Sequence, residues 1–200
     1  ERVVGGDRQR QRAVDGRDLL DDQRGRDRVQ RSAAVAFRHL QAEEAERATR
    51  ERDLRVAADI QQHLRPRVFP DLSEVEIDMF SASTMHIGGD YFDVLKVDDR
   101  HWAFVIADVS GKGAGAALMM AECRATLRLC APGELSPAAV IRRLNRAIQP
   151  DMRPGMFIAL FYSILNLDTN VLRYVRAGHE DMLLIRKDAQ DTELLKGEGL

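Results

Sequence analysis

The chain has 200 residues, a formal net charge of -2 and 44% hydrophobic residues. This length suits one medium-sized domain with an extension, and the nearly balanced charge argues against a general nucleic-acid binder. No apolar run reaches the roughly 18 residues of a membrane span, and no signal peptide is visible. We therefore expect a cytoplasmic protein without a nucleic-acid or membrane partner. The two cysteines lie in a helix-like segment and are expected to be buried, reduced thiols.

The first third of the chain is polar. Residues 1–31 are mostly Arg, Asp, Gln and Gly, a low-complexity composition that predicts disorder or an unstable helix. Residues 32–66 contain no Gly or Pro before Pro66 and are rich in Ala, Glu, Arg and Gln, which predicts one long linker helix. Its narrow apolar stripe fits either a solvated helix packed on its own domain or a parallel coiled coil. In the second case the chain would be a homodimer through the linker helix.

Residues 67–200 are expected to form a globular domain, because apolar periodicity and turn signals alternate along them. Strands are expected at Val75–Met79, Trp102–Ala107, Met156–Leu165, Val171–Arg176 and Met182–Arg186, and helices at Gly115–Ala131 and Pro137–Ile148. Ser136 and Pro137 supply an N-cap and a first-turn proline for the second of these helices. Strands in runs and helices in runs favour an α+β fold with antiparallel sheet.

Two acidic turns carry the strongest chemical signal. Gly88–Asp93 reads GGDYFD, and Ala107–Leu118 reads ADVSGKGAGAAL. Each turn presents a carboxylate, Asp90 or Asp108, beside glycines that let a ligand approach closely. Hard divalent cations such as Mg²⁺ or Mn²⁺ prefer oxygen ligands, and a two-metal site can activate water for phosphate chemistry. Each aspartate alone would be an ordinary turn residue, but the pair flanking one apolar strand favours a metal site.

Three further residues leave alternatives open. Asp93 fits an acceptor behind the metal ligands, a ligand through water or a solvated turn residue. Lys112 fits either an anion contact near a helix N-terminus or an exposed lysine. A nucleotide P-loop is excluded there, because Ile106 and Gly113 stand where that motif needs Gly and Ser or Thr. His179 fits a hydrogen-bonded structural residue, a general acid or a phosphate contact.

In their order along the chain these motifs resemble bacterial PPM-type metal-dependent serine/threonine phosphatases, the branch of the sporulation phosphatase E and the sigma-factor regulator phosphatases. The resemblance covers residues 54–200. It rests on the junction AADIQQHLRP, the two acidic turns, the Ser136-Pro137 helix with its Leu-Asn-Arg, the strand FIALFYSIL and the turn AGHEDMLLI. It implies an α-β-β-α sandwich, two antiparallel sheets flanked by helices, that follows a long linker helix.

The resemblance also implies a function. Such proteins remove phosphate from phosphoserine or phosphothreonine on a signalling partner, typically of the anti-anti-sigma type, through a water activated by Mn²⁺ or Mg²⁺. Asp90 and Asp108 match the metal aspartates of the family, and the carbonyl of Val109 matches a further metal ligand. Lys112 and His179 are the expected substrate-binding residues. Upstream sensor domains commonly act through the linker helix.

One departure from the family qualifies this expectation. The family has another metal aspartate in a Thr-Asp-Gly motif, and this chain reaches Leu200 before such a motif. We therefore expect a domain without its C-terminal part, with weak metal binding and poor activity. A non-catalytic phosphoprotein-binding scaffold is the alternative. A diguanylate cyclase is rejected, because Tyr91 replaces the Glu of its GGDEF turn and the second acidic turn at Asp108 would have no role.

Overall fold

The computed structural model describes residues 16–66, 70, 72, 75–81, 87–186 and 192–196, with side chains from residue 28 onward. The chain divides into two units, residues 1–52 and 53–200. Helix α1 runs from Gly16 to Leu64, so it begins inside the stretch for which disorder or an unstable helix is expected. Every described side chain from residue 28 to residue 52 is exposed. None of the described helices is long and apolar enough to cross a membrane.

The second unit is built on an antiparallel sheet, as predicted. Its four strands pair in the order β1-β2-β3-β4, and a separate two-stranded sheet pairs β5 with β6. The bounds are Tyr91–Lys96 for β1, His101–Val109 for β2, Ile158–Asn166 for β3, Val171–Ala177 for β4, Met182–Ile185 for β5 and Thr192–Leu195 for β6. Four of the five predicted strands are therefore present, with ends shifted by a few residues.

The predicted strand at Val75–Met79 is wrong. Val75 forms only an isolated bridge with Leu72, with a hydrogen bond of 2.8 Å from the amide of Val75 to the carbonyl of Leu72. Residues 76–81 have no regular structure. Alternation of apolar and polar residues specifies a strand only when a neighbouring edge pairs with it. Within the described residues, this segment has no such partner beyond the single bridge.

The turn expected over GGDYFD is also shorter than predicted, because β1 already begins at Tyr91. In β1, Tyr91, Asp93 and Leu95 lie on one face and are buried. Because the charged Asp93 occupies an inward position, the sequence lacks the alternation of apolar and polar residues that normally predicts a strand. Asp93 is thus a strand residue rather than a turn residue.

Two helices cover one face of the four-stranded sheet. Helix α2 spans Ala114–Cys130 and α3 spans Pro137–Ile148, and a 3₁₀ turn follows at Gln149–Asp151. As predicted, the Ser136 hydroxyl caps α3 by accepting a hydrogen bond of 3.3 Å from the amide of Ala139. The core between helices and sheet contains Met120, Cys123, Leu127, Val140, Leu144, Ala103, Val105 and Tyr162. Both cysteines are unpaired thiols, and Cys123 is buried.

Successive side chains of β2 point to opposite faces of the sheet. Ala103, Val105, Ala107 and Val109 face the helices and are buried, whereas Asp108 lies on the opposite face and is exposed. Strand β1 pairs with β2 in antiparallel register, with Tyr91 opposite Ala107. Asp90 directly precedes β1, and Asp108 directly follows Ala107. The register therefore places these two aspartates, one from each acidic turn, side by side at one edge of the sheet.

Candidate metal and phosphate site

Asp90 and Asp108 lie side by side at this sheet edge. The two carboxyl groups are close enough to share a hydrogen bond, and within the described part of the chain no lysine or arginine pairs with either of them. Partial burial raises the pKa of Asp108, and the negative charge of Asp90 raises that pKa further, while the nearby His179 lowers it. Two carboxylates held together without a protein cation repel each other. A bound cation would relieve that repulsion.

The carbonyl of Val109 lies against the turn that carries Asp90. A Cβ atom added to Gly89 would be 2.5 Å from the carbonyl oxygen of Val109, a separation that real Cβ atoms do not tolerate. The amide of Val109 also donates a hydrogen bond of 3.4 Å to the carbonyl of Gly89. Glycine is needed at position 89 because it allows this close backbone approach. The approach places the carbonyl oxygen of Val109 beside Gly89, the residue that precedes Asp90.

A residue that the sequence analysis missed connects α1 to the same turn. The side-chain amide of Gln61 donates to the carbonyl of Gly88 at 2.8 Å, and its oxygen accepts from the amide of Gly88 at 3.0 Å. Gln61 is only 7% exposed, so both bonds are shielded from water. The sole sequence signal was a glutamine within the apolar stripe of Ala57, Ile60 and Leu64. Gln61 thus fixes the backbone two residues before Asp90.

Asp93 belongs to the core and is not solvated. Its carboxylate accepts hydrogen bonds of 2.8 Å from both Nε and Nη2 of Arg128, 2.9 Å from the Tyr91 hydroxyl and 3.0 Å from the Val94 amide. It faces the helices, whereas Asp108 lies on the other face of the sheet. Of the three alternatives left open for Asp93, the solvated residue and the water-mediated ligand are therefore wrong. Burial also raises the pKa of Tyr91, so its hydroxyl remains a donor.

His179 lies near enough to Asp108 to affect its pKa, whereas Lys112 forms no hydrogen bond or ion pair with the two aspartates in the described part of the chain. Gly178 forms a parallel bridge with Leu160 of β3, which places the following His179 near the edge where its charge acts on Asp108. The carbonyl of His179 accepts a hydrogen bond of 2.7 Å from Arg176, which holds the loop. Lys112 is exposed in the loop between β2 and α2.

The donor atoms fit a hard divalent cation. Two carboxylates and one backbone carbonyl are oxygen ligands of the kind that Mg²⁺ and Mn²⁺ prefer, and the exposure of both aspartates leaves room for water ligands. Among the described residues, however, there is no cluster of three or more Asp, Glu, His or Cys that could hold a metal ion. These residues therefore fit one hydrated cation better than a complete two-metal site.

The chain also matches a known protein family. Residues 98–200, just over half of the chain, match the family described as stage II sporulation protein E. The matched segment contains Asp108, Val109, Lys112 and His179, whereas Asp90 precedes it.

Individual relatives extend the match. The phosphoserine phosphatase RsbU of Bacillus subtilis is 32% identical over 128 residues, which are 64% of this chain and 38% of that protein. The phosphoserine phosphatase RsbP of the same organism is 26% identical over 66% of this chain and 34% of that protein. The chain thus spans about a third of the length of these curated relatives. The solved SiaA PP2C domain of Pseudomonas aeruginosa has a similar fold, with a TM-score of 0.57 and 20% identity over 66% of this chain and 55% of that one.

Proposed function

The chain belongs to the stage II sporulation protein E family and has the fold of PP2C phosphatase domains, and on this premise we propose that it acts as a metal-dependent protein serine/threonine phosphatase. The observation that carries the proposal is the pair of Asp90 and Asp108, two adjacent exposed carboxylates without a partner cation in the described part of the chain. That arrangement suits phosphate chemistry assisted by Mn²⁺ or Mg²⁺.

Each residue of the site has a role in this proposal. The carboxylates of Asp90 and Asp108 and the carbonyl of Val109 would hold the cation. A divalent cation bound there supplies positive charge to a phosphoryl group and lowers the pKa of bound water. His179, whose charge reaches Asp108, is placed to contact phosphate or to protonate the leaving serine or threonine oxygen. Lys112 is free to reach an anion from its exposed loop.

Cys123, which lies in the core between helices and sheet, is disfavoured as a nucleophile for covalent catalysis. Cys123 is fully buried among the helix and sheet residues, and burial raises the pKa of its thiol to about 12. A thiol with such a pKa is a poor nucleophile at neutral pH. Attack on phosphorus by a water held near the exposed carboxylate pair, with the serine or threonine oxygen as the leaving group, is the simpler route.

The proposed substrate is a phosphoserine or phosphothreonine on a signalling protein of the anti-anti-sigma type in the cytoplasm. Two relatives named phosphoserine phosphatases support that substrate class. The site is open, since Asp90 and Asp108 are both exposed at the sheet edge and a protein-borne phosphate could reach them. A homodimer through α1 is also proposed, because apolar side chains such as Val29, Phe37 and Leu40 remain exposed along this helix.

A non-catalytic phosphoprotein-binding scaffold is the second candidate. It is favoured by one observation, the lack of a third acidic, histidine or cysteine ligand beside the two carboxylates among the described residues. A scaffold would bind the phosphoprotein and release no phosphate.

Phosphate release from a phosphoserine protein tests the proposal, with Mn²⁺ or a chelator, for the wild type and Asp108→Asn. We expect slow release that requires Mn²⁺ and is lost in Asp108→Asn. Asp99→Asn is the matched control, because Asp99 is exposed at the opposite end of the β1–β2 hairpin and, among the described residues, pairs with Lys96 alone. Binding of the phosphoprotein without any release would support the scaffold. Release that is unaffected by the chelator would contradict both candidates.

A further inference from the structure

A groove of about 660 Å³ lies beside α3 on the helix-covered side of the sheet. Its walls are α3, the loop of residues 152–157 and the first residues of β3. Apolar side chains form much of the lining, among them Ile141, Ile148 and Met156. Neither the aspartate pair nor Lys112 and His179 line this groove.

The groove carries unbalanced positive charge. Arg142, Arg146 and Arg153 line it and are exposed, and none of them forms a hydrogen bond or an ion pair with another described residue. Among the described residues, no aspartate or glutamate is part of the lining. By contrast, Arg143 on the same helix pairs with Glu134 at 2.9 Å. Three unpaired guanidinium groups around an apolar lining, in a protein of net charge -2, form a local site for anions.

One end of the groove adjoins the candidate metal site. Ile158, which lines it, pairs with Val109 across β2 and β3. The amide of Phe157 donates to the hydroxyl of Ser110 at 2.9 Å, and the amide of Ser110 donates to the carbonyl of Phe157 at 2.9 Å. Ala177, another lining residue, precedes the turn that carries His179. A chain segment lying in the groove would therefore begin next to Val109 and close in sequence to His179, two residues to which the proposed function gives a role.

We propose that this groove docks an acidic segment of the phosphoprotein substrate, adjacent in sequence to the phosphorylated residue. The proposal rests on the phosphatase function proposed above. Carboxylates of the segment would bind Arg142, Arg146 and Arg153, whose planar guanidinium groups match carboxylate geometry. Apolar side chains of the segment would pack against Ile141 and Met156. The charge complementarity selects an acidic partner, and the apolar lining favours a polypeptide over a nucleic-acid backbone.

Binding of fluorescent phosphoserine peptides to the whole chain tests the proposal by anisotropy. One peptide has Asp, Glu and Leu beside the phosphoserine, and a second has Asn and Gln in place of the acids. We expect the acidic peptide to bind roughly tenfold more tightly, a gain of the size that three exposed ion pairs give. The triple substitution of Arg142, Arg146 and Arg153 by Gln should remove this difference, and Arg143→Gln should retain it.

Three further results would decide whether the groove docks an acidic segment. Equal binding of the two peptides, or an unchanged preference in the triple variant, would overturn the docking site. Equally strong displacement by an oligonucleotide of the same charge would also overturn it, since the groove would then be a general cationic patch. Hydrolysis of p-nitrophenyl phosphate with Mn²⁺ reports the chemistry separately and should be unchanged in the triple variant. If that hydrolysis is absent in the wild type while the peptide preference persists, the phosphatase proposal fails and the acidic docking site stands.

Discussion

The guanidinium of Arg128 on α2 holds the carboxylate of Asp93 on β1 through two hydrogen bonds of 2.8 Å, across 35 residues of sequence. Asp93 is 0% exposed, so this ion pair is buried on its acidic side. The pair fastens the first strand to the helix layer. Two aspartates of the same motif, three residues apart, therefore have different roles. Asp93 stabilises the core, whereas Asp90 faces solvent.

Breaking this pair should destabilise the fold. Arg128→Met leaves the buried Asp93 carboxylate without its cation, and we expect the free energy of unfolding to fall by about 2 kcal/mol, below the usual value for buried pairs because the Arg128 side chain is 42% exposed. Urea unfolding followed by circular dichroism measures the change. Lys96→Met breaks the exposed pair with Asp99 and should change stability by less than about 0.5 kcal/mol. Equal effects of the two substitutions would contradict the buried role of Asp93.

Gln61 should influence the metal site without touching it. Gln61→Leu removes both hydrogen bonds to Gly88 and leaves partly buried backbone groups without these partners, a loss of about 1 kcal/mol. Because the turn of Asp90 loses its anchor, we expect weaker Mn²⁺ affinity by isothermal titration calorimetry as well as lower stability. The neighbouring Gln62 is exposed, so Gln62→Leu is the matched control and should change neither quantity. Unchanged Mn²⁺ affinity in Gln61→Leu would refute the anchoring role.

Substitution by alanine should have opposite effects on stability at two glycines near the site, Gly89 and Gly115. In Gly89→Ala the new Cβ would meet the carbonyl oxygen of Val109 at 2.5 Å, so the backbone must move and both stability and Mn²⁺ affinity should decrease. In Gly115→Ala, in the first turn of α2, the new Cβ would meet nothing within 4 Å, so alanine should fit without strain and raise stability slightly. Thermal unfolding of both variants tests the contrast. A Gly89→Ala protein as stable as the wild type would show that the close approach is unnecessary.

The repulsion between Asp90 and Asp108 should appear as a pH-dependent stability. The folded-state pKa of Asp108 is raised, so this group lowers stability as the pH rises through that pKa and the folded protein loses its extra proton. In the presence of a chelator, Asp108→Asn should therefore melt at a slightly higher temperature than the wild type at pH 7. The difference should shrink as the pH falls toward the ordinary aspartate range.

Added Mn²⁺ should reverse that order. A ligand that binds only the folded state raises the melting temperature, and the wild type has both carboxylates to bind it. We expect Mn²⁺ to stabilise the wild type and to have little effect on Asp108→Asn. If Asp108→Asn melted below the wild type with the chelator, the unrelieved repulsion between the aspartates would be disproved.

Local signals account for the elements that could be predicted. Ser136 and Pro137 mark the start of α3 by themselves, and the apolar run before Asp108 marks β2. The antiparallel class of the fold and the neighbouring positions of Asp90 and Asp108 followed from the resemblance to a known family and from the two acidic turns, whereas β1 was not predicted. The roles of Asp93 and Gln61 could not be predicted, because their partners lie 35 and 27 residues away and no periodic pattern encodes such distances.

The register of the β1–β2 hairpin links the site to a turn at the other end of the same strands. The Asp98 carboxylate accepts hydrogen bonds of 2.8 Å from the amides of Arg100 and His101, which fixes where β2 starts relative to β1. A slip of one residue would exchange the faces of a strand, turning Asp108 toward the helices and Val109 toward solvent. The register of this hairpin therefore also determines that Asp90 and Asp108 lie side by side. The turn at Asp98, which sets the register of the two strands, therefore matters to the site as much as the two aspartates that it aligns.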